Sequence, residues 1–191
     1  MDDMERRRAA WERALHAEGT RVVFERRARR LKKWTRARDF IGLGVPILLA
    51  YLLGSELFEA LKPYKTFGVA CLAVAAAAQL LLAAWSLISQ WDVELAYNVR
   101  ASRDSYQLKE EWKKIGEGRA VNPEIEFALL EERQKIADSH DVEKGVTAKE
   151  KQIGMRAGLI QFQSTCVCGE RPKTYRIPSF VKTPCPVCGG N

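Results

Sequence analysis

The sequence predicts an all-α membrane protein: a two-helix transmembrane hairpin with long cytoplasmic helical extensions and a small C-terminal zinc-ribbon-like module. Three observations predict this fold class. Two long apolar runs lie close together, basic residues crowd ahead of the first run, and four of the five cysteines follow residue 164. The predicted segments are a basic cytoplasmic helical segment (1–39), the hairpin (40–91), a cytoplasmic helical region (92–163) and a four-cysteine zinc-binding tail (164–191).

The first segment carries most of the net charge of +7. Apolar residues such as Trp11, Leu15 and Val22 recur at helical spacing and predict an amphipathic helix over residues 4–36, with a break at Gly19. Basic residues just ahead of an apolar run are typical of the cytoplasmic flank of a membrane span. The residues predicted to contact lipid headgroups are Arg29, Arg30, Lys32, Lys33, Arg36 and Arg38. Nucleic acid is the less favoured partner, because no aromatic stacking platform or reader motif accompanies the charge.

The two apolar runs have the length and composition of membrane spans. They cover about residues 40–61 and 66–91, and a spanning helix needs about 20 predominantly apolar residues. The second run is apolar on every face and is therefore not expected to be a helix in the core of a soluble protein. Because only residues 62–65 separate the runs, the two helices must be antiparallel.

Charge asymmetry predicts the orientation of the hairpin. Thirteen arginines and lysines precede residue 40, whereas the loop between the runs holds only Lys62 and Lys65. The positive-inside rule therefore places the N-terminus in the cytoplasm, and two spans return the C-terminus to the same side.

Three polar residues inside the spans, Glu56, Glu59 and Gln79, leave two interpretations open. In the first, Gln79 bonds a neighbouring helix and the glutamates reach the outer headgroups. In the second, all three line a pathway made when several hairpins assemble. Two spans cannot enclose a water path, so a pore requires a homo-oligomer.

The cytoplasmic region predicts three further helical stretches. The second span is expected to continue as a rod to about Ile115, where two glycines stop it. Asn122-Pro123-Glu124 predicts a helix start, and that helix is expected to end before residue 140. Thr147 and Glu150 have capping-box spacing and predict a helix through Phe162.

The tail cysteines predict a metal site. Cys185 and Cys188 stand two residues apart and are followed by a glycine, as in a zinc knuckle, and Cys166 and Cys168 form a tighter second pair. Four thiolates in two close pairs suit tetrahedral structural zinc. Disulfides are the alternative, and the reducing cytosol predicted for this tail disfavours them.

An enzymatic function is not favoured. Four thiolates leave a zinc ion without the open position that catalysis needs. The sequence has no P-loop, nucleophile elbow, HExxH motif or dinucleotide fingerprint.

Two parts of the chain resemble known families. The stretches ARDFIGLGVPILLA and SLISQWDVELAYNVRASRDSYQLKEEW are similar to the SLATT group of bacterial proteins, a likeness covering residues 5–118. The tail LIQFQSTCVCGERP…CPVCGG, within residues 150–191, resembles a mobile-element family with paired CxxC motifs. The chain departs from that motif, since its first cysteine pair is one residue tighter and its spacer is longer.

The resemblance to SLATT proteins implies a membrane-disrupting or pore-forming effector in anti-phage defence. It also implies a location in the bacterial inner membrane and switching by a nucleotide-signalling partner or another defence protein. The alternative is a membrane-tethered zinc-ribbon adaptor, whose basic tail binds a cytoplasmic protein or nucleic acid. The residues expected to form that basic surface are Arg171, Lys173, Arg176 and Lys182.

Overall fold

The computed structural model describes residues 1–54, 65–175, 177 and 185–189, with all their side chains except those of 48–54, 65–67, 69, 72 and 140–142. This part of the chain is mostly helical and has no strand. Its helices are α1 (Asp3–Gly54), α2 (Lys65–Ile88), α3 (Trp91–Gly116), α4 (Pro123–Glu143) and α5 (Ala148–Gln161). The predicted helical class is confirmed for these residues.

The predicted break at Gly19 is wrong, because α1 runs through it without interruption. Gly19 serves a helix crossing instead. A Cβ built on Gly19 would lie 3.0 Å from the backbone carbon and oxygen of Gly154, and one built on Gly154 would lie 2.7 Å from the Gly19 carbonyl oxygen. The two glycines therefore let the backbones of α1 and α5 come into direct contact.

The predicted continuous rod after the second apolar run is also wrong. α2 ends at Ile88, and α3 begins at Trp91. Between them Gln90 adopts the left-handed region, with φ 48°, which an α-helix does not accommodate. Asp92 and Glu94 lie in the first turn of α3, where acidic side chains favour a new helix N-terminus. α3 stops at Gly116, as predicted.

The local signals for the last two helices are confirmed. α4 begins at Pro123, and Glu126 Oε1 accepts hydrogen bonds at 3.1 Å from the N–H groups of residues 121 and 122. The expected end before residue 140 is wrong, since α4 continues to Glu143, just ahead of Gly145 with its φ of 58°. α5 opens with the predicted capping box of Thr147 and Glu150.

The chain divides into two compact units, residues 1–27 with 98–191 and residues 28–97. The core of the first unit surrounds Trp112, whose side chain is fully buried. Its Nε1 donates to Gln134 Oε1 at 2.8 Å, and its ring meets Phe127 edge-on at 5.0 Å. Small side chains at Ala10 and Ala14 let α1 pack closely against this cluster.

The second unit turns large apolar side chains outward. Phe40, Leu43, Leu80, Leu81, Leu87 and Ile88 are each between 70% and 79% exposed. Inside the unit, Gln79 Nε2 donates to the Gly42 carbonyl at 3.2 Å, and Arg38 Nη1 donates to Asp92 Oδ2 at 3.0 Å.

Length and apolar composition decide whether a helix of the described residues could cross a membrane. None of these helices is, alone, both long and apolar enough to cross a membrane. The bent pair of Ala73–Ile88 and Trp91–Gly116 meets the length and composition criteria when taken together. The predicted transmembrane hairpin stays a prediction.

Candidate metal centre

The structure brings the four tail cysteines together. The Sγ atoms of Cys166, Cys168, Cys185 and Cys188 all lie within 4.8 Å of one another. Across the two pairs, Cys166 Sγ is 3.9 Å from Cys185 Sγ, and Cys168 Sγ is 3.6 Å from Cys188 Sγ. A tetrahedral ion with Zn–S bonds of about 2.3 Å needs S···S distances of about 3.8 Å. The cluster therefore has a suitable size and donor set for a tetrahedral metal ion.

Glycine closes both turns that carry the cysteines. Gly169 has φ 87° and donates its N–H to the Cys166 carbonyl at 2.9 Å, and Gly189 has φ 67° and donates to the Cys185 carbonyl at 2.8 Å. A left-handed conformation at these positions favours glycine over residues with a Cβ. The first turn is one residue shorter than the second, yet both turns end in the same way.

Local hydrogen bonds favour the thiolate form of Cys185, which is the form that binds metal. The backbone N–H groups of Cys188 and Val187 stabilise the thiolate of Cys185 and lower its pKa to about 7. Burial has the opposite effect on Cys166 and raises the pKa of its thiol. Because metal binding takes the thiolate form, a bound cation would offset the cost of charge in this buried cluster.

The helix α5 supports the cluster through two side chains that sequence analysis did not identify. Arg156 donates to the carbonyls of Thr174 and Cys188, each at 3.1 Å. Gln152 Nε2 donates to the carbonyls of Cys185 and Pro186, each at 3.4 Å. The sequence signal for Arg156 is its place between Gly154 and Gly158, and the sequence gives no signal for Gln152.

Comparison with known proteins places the chain in a family. Residues 7–191 match the family model described as Mobilome CxxCx(11)CxxC protein. The chain belongs to this family. No curated protein and no solved structure matches it. The predicted likeness of the tail is confirmed, and the family match extends far beyond the predicted 150–191, whereas the resemblance to SLATT proteins stays a prediction.

This member of the Mobilome CxxCx(11)CxxC family departs from the pattern in the family's description. Its first pair is Cys166-x-Cys168, and residues 169–184 separate the pairs where the pattern has eleven residues. The Sγ atoms nevertheless converge. The change in spacing therefore alters the loop and retains the four-thiol cluster.

Within the described residues, the other predicted site residues of this family member lie apart from the cysteine cluster, along α1 and α2. Gln79 lies in the second unit, bonded to Gly42, and Glu56 and Glu59 fall outside the described residues. Arg38 is partly buried and paired with Asp92. The remaining predicted headgroup residues are exposed along α1: Arg29, Arg30, Lys32, Lys33 and Arg36.

A cavity of about 390 Å³ adjoins the cysteine cluster. Its walls come from α1, α4, α5 and the turn between Cys185 and Cys188, with Phe24, Met155 and Val187 among the apolar contacts. Burial lowers the pKa of His16 and raises the pKa of Asp138 at this cavity. The turn that holds two of the cysteines therefore also shapes a space of the size that small ligands occupy.

Proposed function

We propose that this protein is a non-enzymatic membrane effector whose cytoplasmic unit contains a structural zinc site. In this proposal residues 40–91 form a transmembrane hairpin in the bacterial inner membrane, and both termini lie in the cytoplasm. The outward-facing apolar side chains of the second unit carry the proposal. Leu80 is 72% exposed and Ile88 is 77% exposed, within a helix that has no charged residue after Lys65. Lipid is the solvent that best accommodates such a surface.

Zinc is the metal proposed for the thiol cluster. Four soft thiolates at tetrahedral spacing favour zinc over oxygen-seeking cations such as magnesium or calcium. With all four positions filled by sulfur, the ion would be structural. Its contribution would be a cross-link between residues 166–168 and 185–188.

The proposed activity is a pore or membrane lesion built from several copies. A single hairpin cannot enclose water, so Glu56 and Glu59 would face the pathway only in a homo-oligomer. Gln79, whose amide donates to the Gly42 carbonyl, would contribute only its remaining polar groups. The resemblance to SLATT proteins supports a role in anti-phage defence, with a nucleotide-signalling protein or another defence partner as the trigger. The cytoplasmic unit, with its cavity beside the cysteine cluster, would receive that signal.

Liposome leakage tests the effector proposal. Purified full-length protein is reconstituted in phosphatidylethanolamine–phosphatidylglycerol liposomes that contain a potassium-sensitive dye. The matched control replaces residues 40–91 with an unrelated two-span hairpin of equal length. Leakage from the native protein with tight control liposomes supports the proposal. Leakage is measured with and without an extract of phage-infected cells, which supplies the proposed trigger. Liposomes that stay tight with the native protein in both conditions, or equal leakage from both proteins, would refute the proposal.

The second candidate is a membrane-tethered zinc-ribbon adaptor, in which the spans act only as an anchor. Exposure of Arg171 and Lys173 beside the cysteine cluster favours it, because both charges can meet an acidic protein surface or nucleic acid. The same replacement of residues 40–91 separates the candidates in cells. An adaptor keeps its biological effect on the new anchor, whereas a pore former loses it.

A further inference from the structure

Arg156 is a charged residue at the centre of the tail's packing against α5. Its relative exposure is 3%. Nε donates to the Thr174 carbonyl at 3.1 Å, Nη1 to the Cys188 carbonyl at 3.1 Å, and Nη2 to Glu170 Oε1 at 3.3 Å. Thr174 and Glu170 follow the first cysteine pair, and Cys188 belongs to the second. One guanidinium therefore ties both halves of the cluster to the same helix.

The buried charge of Arg156 is compensated by groups next to the cysteine cluster. Burying a guanidinium is costly unless hydrogen bonds and opposite charge compensate. The backbone carbonyls satisfy donors without supplying a full charge, and Glu170 supplies one negative charge. The other oxygen of Glu170, Oε2, lies 3.6 Å from Cys188 Sγ. That contact is a hydrogen bond from the Cys188 thiol to the carboxylate, and metal binding would replace the thiol by a thiolate. The guanidinium of Arg156, bonded to both Glu170 and the Cys188 carbonyl, is then the cation that offsets the negative charge of the carboxylate and the thiolates.

The helix that carries Arg156 is held firmly in place. Gly154 packs against the backbone of α1 at Gly19, and Gly158 packs against the backbone at Leu15, where an added Cβ would lie 2.6 Å from the carbonyl oxygen. Arg156 lies midway between these two contacts. Its guanidinium therefore projects from a fixed platform, which is what an outer-shell group needs to orient metal ligands.

We propose that Arg156 is a positioning residue of the metal centre. It holds the two cysteine pairs at tetrahedral spacing and offsets the charge of the thiolates, although it is not itself a ligand. The proposal rests on the zinc site proposed above. Lysine cannot replace this function fully, because an ammonium keeps the charge but lacks the planar fork that reaches three acceptors.

Zinc affinity of the full-length protein in detergent tests the proposal. The variants are R156M, R156K and, as a matched control, R171M, which removes an exposed arginine bonded to Gln163 at 3.4 Å. Competition with a chromogenic chelator measures affinity, and circular dichroism measures helix content. Loss of an outer-shell partner typically weakens metal binding about 10–100-fold. That loss is expected for R156M, a smaller loss for R156K, and no change for R171M.

Cobalt substitution adds a readout that a purely structural role would not change. The ligand-field absorption of thiolate-bound cobalt(II) reports tetrahedral geometry, so R156M is expected to alter its position or intensity at native helix content. Should R156M fail to fold, the same two measurements on R156K decide. Native affinity and an unchanged cobalt spectrum in a folded Arg156 variant would overturn the role of Arg156 alone. Absence of bound metal from the wild-type protein would overturn the zinc site and this role together.

Discussion

The contact between α1 and α5 gives a prediction whose size follows from the structure. In G154A the new methyl group would lie 2.7 Å from the Gly19 carbonyl oxygen and 2.9 Å from Val23 Cγ2. The oxygen belongs to a helix backbone and cannot rotate away, so the two helices must separate. Overpacking of this kind costs about 1–3 kcal/mol, and the better helix propensity of alanine returns about 1 kcal/mol. We expect a net loss of about 1 kcal/mol.

Hydrogen exchange of the α5 amides, followed by mass spectrometry, measures this loss locally. A change of about 1–2 kcal/mol accelerates exchange from the open state about 5–30-fold. The matched control is G44A, since a Cβ built on Gly44 meets nothing within 4 Å. If the α5 amides of G154A exchange at the native rate or more slowly, the close contact of the two backbones does not require glycine at positions 19 and 154. Equal acceleration in G44A would lead to the same conclusion.

Three further predictions concern the metal cluster, an ion pair and the buried tryptophan. C185S should lose metal, measured by elemental analysis, and its tail should become sensitive to limited proteolysis, whereas C71S should retain metal. Metal retained by C185S would contradict the site. Arg27 holds the pKa of Glu150 down, from 4.5 to about 2, so the stabilisation is complete above pH 4.5 and is lost as the pH falls towards 2. Because Glu150 is 30% exposed, we expect the ion pair to contribute about 1 kcal/mol to the free energy of unfolding. E150Q keeps the cap and should flatten the pH dependence of thermal unfolding over that window, and an unchanged profile would contradict this. Q134M leaves the Trp112 indole N–H without its acceptor and should cost about 1–3 kcal/mol in denaturant unfolding; a loss below 0.5 kcal/mol would contradict the bond's role.

Sequence reasoning succeeded where the chemistry is local. The capping box of Thr147 and Glu150 and the start at Pro123 depend on residues within one helical turn. The cysteine cluster could also be predicted, because two close pairs of cysteines are a typical pattern of metal ligands. These features can be predicted since the interacting groups are neighbours in the chain or chemically distinctive.

The errors arise where distant residues decide. Gly19 was expected to break a helix, but its partner Gly154 is remote in sequence, and tertiary contact overrides the weak propensity of one glycine. The break before α3 occurs at Gln90, a residue type that seldom adopts positive φ, so composition gives no warning. Arg156 was missed for the same reason, because its acceptors at Glu170, Thr174 and Cys188 come together only in the fold.

These contacts form a continuous path from the cysteine cluster to α1. Cys188 is bonded to Arg156, Arg156 belongs to α5, and α5 touches α1 at Gly19. α1 is a single helix that begins at Asp3 and extends into the first apolar run, as far as Gly54. Metal binding in the tail would therefore stabilise the packing of α5 against the N-terminal part of α1, within the first unit.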